Sequence, residues 1–366
     1  MLRVGILGGG QLARLLCLAA HSIGFSSAVY AAEEFCPAKN VSQYYQGEFN
    51  DNARLNEFLA NVDVVTIENE NFSADFLGII EAKNKLLPKS NSFIVFQDRL
   101  TEKKLFNQLN IPTNQFYPVD SYTTLQDAAN QLGYPFVLKQ RKLGYDGRGQ
   151  YVIRGEKDIT NFKDKQELFF IAEEWINYDR EVSIVAARNT LGEISYYDIC
   201  ENRHENGILK KTQVRKADPM FPVATELVKK AMMHLNYVGV MTIEFFQVNQ
   251  QLLANEVAPR VHNSGHWTMH GALTSQFENH IRAITGLALG STDTVANVSM
   301  YNCIGGMPEL GEVMKLPGAY NCDYLKTPRA NRKLGHITLV DNDSTRFKNS
   351  EANLTELIKA AEVVDL

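Results

Sequence analysis

The residues best equipped for chemistry in this sequence are two glutamates in one hairpin, Glu244 and Glu256, and a lysine ahead of a glycine run, Lys139 before Gly144-Tyr145-Asp146-Gly147-Arg148-Gly149-Gln150. Residues 238–257 read as a β-hairpin with its turn at Asn249-Gln250-Gln251. With the turn centred on Gln250, the two glutamates lie equally far from it, opposite one another on one face. Facing carboxylates flanked by Ile, Phe, Leu and Val repel unless a cation lies between them or one is protonated. Mg²⁺ is the economical cation, because it takes one or two carboxylates and completes its shell with water and substrate phosphates. A slip of one residue in register would instead send one glutamate to solvent.

Lys139 ends the apolar run Phe136-Val137-Leu138. The three glycines after it free the backbone to wrap N–H groups around phosphate oxygens, and the lysine supplies a point charge. The competing reading is a glycine-rich hairpin turn beside a snorkelling lysine; a GxxxxGK[ST] P-loop is absent. A third stretch, VGILGGGQLARLL from Val4, carries Gly8-x-Gly10-x-x-Ala13, the fingerprint of a dinucleotide-binding turn, with Glu33 or Glu34 about 20 residues on. Taken alone it would make the chain a nicotinamide-dependent dehydrogenase.

The elements that must carry these residues follow from periodicity. Strands over 4–7, 27–30 and 62–67 around a helix over 12–21 make an α/β opening unit. DRLTEKKLFNQL predicts a helix over 98–109, ended by Pro112. Beyond it come β-type segments at 136–139, 149–153, 169–173 and 181–187, a helix over 224–235 and the hairpin, then short strands after about residue 290. The expected domains are 1–97, 98–290 and 291–366, without repeats or low-complexity tracts.

Bulk properties narrow the partners. At 366 residues and 45% hydrophobic content the chain is too long for one ordinary core. A net charge of −5 gives no basic field for nucleic acid, although a local cationic pocket could still bind a small anion. The five cysteines are odd in number and form no CxxC pair, which fits a reducing compartment. Residues 15–20 resemble the core of a secretory signal, but Arg14 and the glycines interrupt it, and no run approaches the ~20 apolar residues of a membrane span. A cytoplasmic protein with no membrane partner is expected.

The 144–150 loop, Asn255-Glu256-Val257-Ala258-Pro259-Arg260 and His262-Asn263-Ser264-Gly265-His266-Trp267-Thr268 resemble the N5-carboxyaminoimidazole ribonucleotide synthetases, ATP-grasp enzymes of purine biosynthesis. Gly10-Gln11-Leu12, Asp98-Arg99-Leu100-Thr101 and Arg332-Lys333-Leu334-Gly335-His336 match in the same order, so nearly the whole chain is covered. The resemblance implies an α/β and α+β architecture: an N-terminal Rossmann-like pre-ATP-grasp domain, an ATP-grasp domain and a small C-terminal β-rich domain. It also implies that the first glycine loop faces the second substrate's phosphate and binds no NAD.

Carried over by position, Arg99, Lys139 and Gly144 to Gln150 would bind ATP, with Glu173, Glu174, Trp175 and Ile176 at the adenine. Glu181 would bind the ribose, His204 and Asn255 would adjoin the nucleotide, and Glu244 and Glu256 would hold Mg²⁺. The ribonucleotide would meet Glu70, Tyr145, Asp146, Arg148, His266, Lys326 and Arg332. The implied catalytic set is Lys139, Asp146 as base, Arg148 and His266.

Each of these has a plainer reading: Glu68 and Glu70 as a solvated strand end, His266 as a satisfied buried histidine, the 326–333 run as an exposed basic hairpin. His262 stays open between a structural and a site role, and Lys210 and Lys211 read as a surface pair. Two departures from the family pattern stand out. Trp175 replaces a small residue at the adenine, and Ala258 stands where the wider superfamily often has a metal-binding Asn.

The implied reaction phosphorylates bicarbonate with ATP to carboxyphosphate, which carboxylates the amine of 5-aminoimidazole ribonucleotide. A homodimer is expected by resemblance alone. The alternatives are another ATP-grasp ligase, such as the formate-dependent glycinamide ribonucleotide transformylase or a biotin carboxylase, the dehydrogenase, or a nucleotide-binding module without activity.

Overall fold

The computed structural model describes residues 2–83, 85–144, 148–165 and 167–362. Four parallel strands, β1 (Arg3–Leu7), β2 (Ser26–Ala31), β3 (Gln43–Gln46) and β4 (Val64–Ile67), form the first sheet in the order β3-β2-β1-β4. The largely apolar, buried sequences of β1, β2 and β4 are those of strands covered on both faces, while the edge strand β3 is polar at its ends. Thr66 at the end of this sheet hydrogen-bonds His280 Nε2 at 2.8 Å, and His280 Nδ1 accepts from Val240 N at 3.0 Å, which ties the first sheet to the main one.

The small second sheet has the order β5-β8-β6-β7 and is antiparallel: β5 (Phe116–Val119), β6 (Phe136–Gln140), β7 (Gln150–Ile153) and β8 (Phe170–Glu174). The main sheet holds β9 (Arg180–Arg188), β10 (Ile194–Tyr196), β11 (Ile199–Glu205), β12 (Ile208–Arg215), β13 (Gly239–Val248), β14 (Gln251–Ala258), β15 (Asn297–Ile304), β16 (Ala319–Asp323) and β17 (Lys333–Asp341). Its order is β14-β13-β9-β11-β12-β15-β17-β16, with β10 alongside β9. The C-terminal strands thus extend the middle sheet through β12 and β15 rather than forming a sheet of their own, and the helix Ser344–Ala361 packs on them.

One core joins these parts. Val4 and Leu16 of the first unit, Phe277 and Ile281 of the helix Gln276–Ile284, Val298 of β15 and Tyr324 just after β16 belong to a single buried cluster. Each large apolar side chain so buried contributes about 1.5–3 kcal/mol.

Local sequence sets the ends that matter for the site. Asp98 caps the helix Arg99–Gln108 by accepting from Leu100 N at 2.9 Å, and the same carboxylate takes Arg141 through two hydrogen bonds of 2.9 and 2.6 Å. The helix stops before Pro112: Asn110 is left-handed at φ 52°, and Ile111 N closes back on Phe106 O at 2.8 Å. Among the described residues no helix is long and apolar enough to cross a membrane.

Candidate functional site: two cavities with a common wall

Two cavities of about 420 and 480 Å³ lie side by side. The first is held between the small sheet and the main sheet. Lys139 on β6, Gln150 on β7 and residues 173–176 at the end of β8 face Glu181, His204, Glu244, Phe246, Asn255 and Glu256 across it. The second lies between the first unit, the end of β14 and the segment before β17, and is lined by Glu70, Arg148, Arg260, His266, Lys326 and Arg332, among others. Arg99, Glu256, His262, Asn263 and Lys333 line both.

The hairpin brings Glu244 directly opposite Glu256, as the sequence predicts, by a different route. Val248 pairs with Gln251, so the turn is centred between Asn249 and Gln250, and that register alone would set Glu244 against Asn255. The ladder shifts between Glu244 and Phe245, leaving Asn255 as the extra residue of a bulge and restoring the glutamate pair. Asn255 then aims its side chain at Lys139, accepting from Nζ at 3.2 Å.

The two carboxylates differ in charge state. Burial pushes Glu256 up, but Arg99, bonded to it at 2.8 Å, outweighs that and holds it down to about 2. Burial carries Glu244 up to about 7; His204 opposes this, while Glu256 and Glu181 add to it. Among the described residues no third His, Cys, Asp or Glu joins the pair as a metal cluster. Two facing carboxylates, one strained towards its protonated form, fit a divalent cation whose other ligands come from phosphate and water.

A prediction follows for metal-free protein. A carboxyl whose folded pKa lies above its unfolded value of about 4.3 stabilises the fold below that pH and loses the contribution as pH rises through the folded value. Glu244→Gln is therefore expected to be more stable than wild type above pH 7, with the difference vanishing as pH falls towards 4, read from thermal melts without Mg²⁺. A less stable variant at pH 8 would show that the Glu244 carboxylate is not strained.

Lys139 is fixed from below. Its Nζ donates to Glu173 Oε2 at 2.9 Å, and Lys103, also buried, donates to Thr113, Asn114 and Ala254 O while lying 3.6 Å from the same oxygen. Burial pushes Glu173 up, but the two lysines reverse this and hold it down to about 2. The side chain of Glu173, expected at the adenine, is 1% exposed and serves as the anchor of Lys139. Trp175 and Ile176 do line the nucleotide-sized cavity, and Glu174 accepts from Gln115 N. Phe246 lies on its floor, stacked on Tyr178 at 4.7 Å. Glu181 pairs with His204 at 2.5 Å and accepts from Tyr178 Oη at 2.5 Å.

The 144–150 loop serves both cavities. Gly144 and Arg148 line the second, Gln150 the first, while Tyr145, Asp146 and Gly147 lie outside the described residues. Gly149 adopts φ 72°, and a Cβ there would lie 2.6 Å from Gln140.

At the first glycine loop the dinucleotide-like fingerprint has a structural explanation. Glu68 accepts from Gly10 N at 2.6 Å and Ala13 N at 3.1 Å, so the protein's own carboxylate fills the anion position of the helix Gln11–Ser22. A Cβ at Gly8 or Gly10 would lie 2.6 Å from Glu68. The glycines make room for that side chain and leave no place there for a pyrophosphate. The loop still borders the second cavity through Gln11, which accepts from Lys326 Nζ.

Glu70 is not a solvated strand end. It binds Arg260 through two hydrogen bonds of 2.6 and 3.2 Å at the edge of the second cavity. Arg260, Lys333, Arg329 and Arg141 line one or both cavities and were not picked from the sequence as site residues, and His262, left open between two roles, lines both. Arg141 could have been found two residues beyond Lys139, and Arg260 four beyond Glu256 at the end of the same strand.

Comparison with known proteins agrees with this arrangement. Residues 104–277 match the ATP-grasp domain, residues 1–97 the ribonucleotide synthetase pre-ATP-grasp domain and residues 298–350 the phosphoribosylaminoimidazole carboxylase C-terminal domain. The N5-carboxyaminoimidazole ribonucleotide synthase of Pseudomonas aeruginosa is 38% identical, covering 98% of this chain and 100% of that one; that of Staphylococcus aureus is 35% identical, covering 93% of each. The crystal structure of the Thermus thermophilus synthetase superposes with a TM-score of 0.92 at 40% identity, covering 99% of both chains. That of the Aspergillus clavatus synthase in complex with ADP and 5-aminoimidazole ribonucleotide gives 0.89 at 27% identity, covering 98% of both. With this identity sustained from end to end, the chain belongs to the N5-carboxyaminoimidazole ribonucleotide synthase family of ATP-grasp enzymes.

Proposed function

We propose that the protein carboxylates 5-aminoimidazole ribonucleotide to its N5-carboxy product with ATP and bicarbonate, releasing ADP and phosphate, in purine biosynthesis. The observation that carries the reading is the pair of cavities with a common wall. ATP in the first and the ribonucleotide in the second would face each other across Arg99, Glu256, His262, Asn263 and Lys333.

Bicarbonate would bind at that wall, where Arg99, Lys333 and the adjacent Arg260 can meet an anion. A bicarbonate oxygen attacks the γ-phosphorus and the bond to ADP breaks. The ribonucleotide amine then attacks the carboxyl carbon, directly or after collapse to CO₂; phosphate leaves, and a base takes the amine proton. Glu244 and Glu256 would hold Mg²⁺, which neutralises phosphate charge when bound. Lys139, held in line by Glu173 and Asn255, would meet the phosphates as a positioned cation.

Asp146 is proposed as the base and the 144–150 loop as the cover that keeps water from carboxyphosphate. The enzyme would work in the cytoplasm as a homodimer.

Purified protein with ATP, Mg²⁺, bicarbonate and 5-aminoimidazole ribonucleotide is expected to release ADP only when the ribonucleotide is present and to form the carboxylated product. ADP release with formate and glycinamide ribonucleotide instead would overturn the reading. Binding of NADH is not expected, since Glu68 fills the loop that would take it.

A further inference from the structure

We propose that Asn263 and Tyr324, the latter backed by His336 of β17, lock the imidazole of His266 in the tautomer that presents an Nε2–H donor to the ribonucleotide cavity. The proposal rests on the functional reading above for the identity of that ligand, and on geometry for the tautomer.

The direction of the hydrogen bonds can be worked out from one fixed point. Asn302 Nδ2 donates to the backbone carbonyl of Leu209 at 2.9 Å and to Asn263 Oδ1 at 2.7 Å, which settles the orientation of both amides. Asn263 Nδ2 returns a bond to Asn302 Oδ1 at 2.9 Å and lies 3.1 Å from His266 Nδ1. An amide nitrogen only donates, so Nδ1 of His266 is the acceptor, and the proton of the neutral ring is on Nε2.

Tyr324 Oη lies 3.0 Å from that same Nδ1 and must give it its only proton. It is then free to accept, and does so from His336 Nδ1 at 2.8 Å, which makes His336 the Nδ1–H tautomer. The chain therefore runs one way, from His336 through Tyr324 to His266. Burial keeps both rings neutral, pushing His266 well below its ordinary value and His336 down to about 3.

What remains of His266 is one polar atom. Nε2 is buried without a partner, in a residue that lines the second cavity. A buried N–H without an acceptor is costly until one arrives, and an oxygen of the ribonucleotide's sugar or phosphate, bound in this cavity, would supply it. A ring locked in this way donates; it cannot serve as the base. Tyr324 and His336 act through it and are positioning residues, which gives a role to the histidine that ends the Arg332–His336 motif.

The tautomer is read on wild-type protein, with one variant used only for assignment. In ¹⁵N-histidine NMR spectra, His266, assigned by its loss in a His266→Gln sample, is expected to show a bare Nδ1 and a protonated Nε2, and His336 the reverse. A protonated Nδ1 on His266 would overturn the proposal whether or not the enzyme turns over. Tyr324→Phe is then expected to raise KM for the ribonucleotide roughly 5- to 10-fold, with KM for ATP within about 2-fold, the loss of about one hydrogen bond.

His336→Gln, which keeps an N–H donor for Tyr324, should hold KM near wild type, whereas His336→Leu should not. An unchanged ribonucleotide KM in folded Tyr324→Phe, or an equal rise for ATP, would also overturn the proposal. Absence of ribonucleotide-dependent ADP release in wild type would instead sink the functional reading and leave the tautomer result standing.

Discussion

Glu256→Gln is expected to lower ribonucleotide-dependent ADP release at least ~100-fold, about 3 kcal/mol of transition-state stabilisation. The substitution keeps the side-chain volume and deletes a charge that Arg99 holds in place, in a carboxyl held down to about 2 and so ionised throughout the working range. The structure adds a second effect. Arg99, with its side chain 11% exposed, keeps an acceptor but loses the charge opposite it, on a side chain 38% exposed, so the fold should weaken by ~1–3 kcal/mol, between the values for exposed and buried ion pairs.

Glu244→Gln separates the two effects. It should cost comparable turnover, because the cation would lose its other carboxylate, while the metal-free fold holds or gains stability at pH 8. Near wild-type turnover of either variant at limiting Mg²⁺ would remove the carboxylate pair from the metal site. Equal destabilisation of both would mean that the pair is structural.

How much of this the sequence shows depends on how local the deciding contact is. The strand that presents Lys139, the hairpin and the helix Arg99–Gln108 could be read from apolar periodicity, because each is set within a dozen residues. The glutamate pair was legible through two offsets that cancel: a turn half a residue earlier than its polar tract indicates, and a bulge at Asn255 that no local signal marks. The helix end was legible to within a residue, but its cause was not: Asn110, two residues before Pro112, takes the left-handed conformation that stops the helix.

Other features depend on distant partners. Gly8 and Gly10 look the same whether the loop takes a phosphate or a carboxylate, and the carboxylate that decides it is 58 residues from Gly10. The role of Glu173 turns on Lys103 and Lys139, which reach it from a helix and a neighbouring strand. The common wall joins residues from the helix at Arg99, β14, the segment after it and β17. Only the packing of the first unit and the small sheet on the main sheet tells which of these face both cavities. The extension of the main sheet into the C-terminal strands was hidden for the same reason, since strand neighbours far apart in sequence leave no pattern in either strand.

Lys326→Ala and Arg332→Ala are each expected to raise KM for 5-aminoimidazole ribonucleotide roughly 10- to 150-fold and to leave KM for ATP within about 2-fold. The expected size is that of one charge-assisted contact, about 1.5–3 kcal/mol. The asymmetry comes from the layout. Both residues line the second cavity and neither lines the first, where Lys139 and Arg99 already meet the nucleotide side. Both heads are held in place: Lys326 by Gln11 and over the ring of Tyr324 at 5.7 Å, Arg332 by Thr327 O at 3.1 Å. The first glycine loop offers less, because Glu68 has taken its N–H groups at Gly10 and Ala13. Equal loss of ATP and ribonucleotide binding would mean that the basic segment closes over both cavities together. If neither constant moved, the substrate phosphate would have to lie deeper, against Arg260 and Lys333, and the 326–332 segment would be an exposed basic loop.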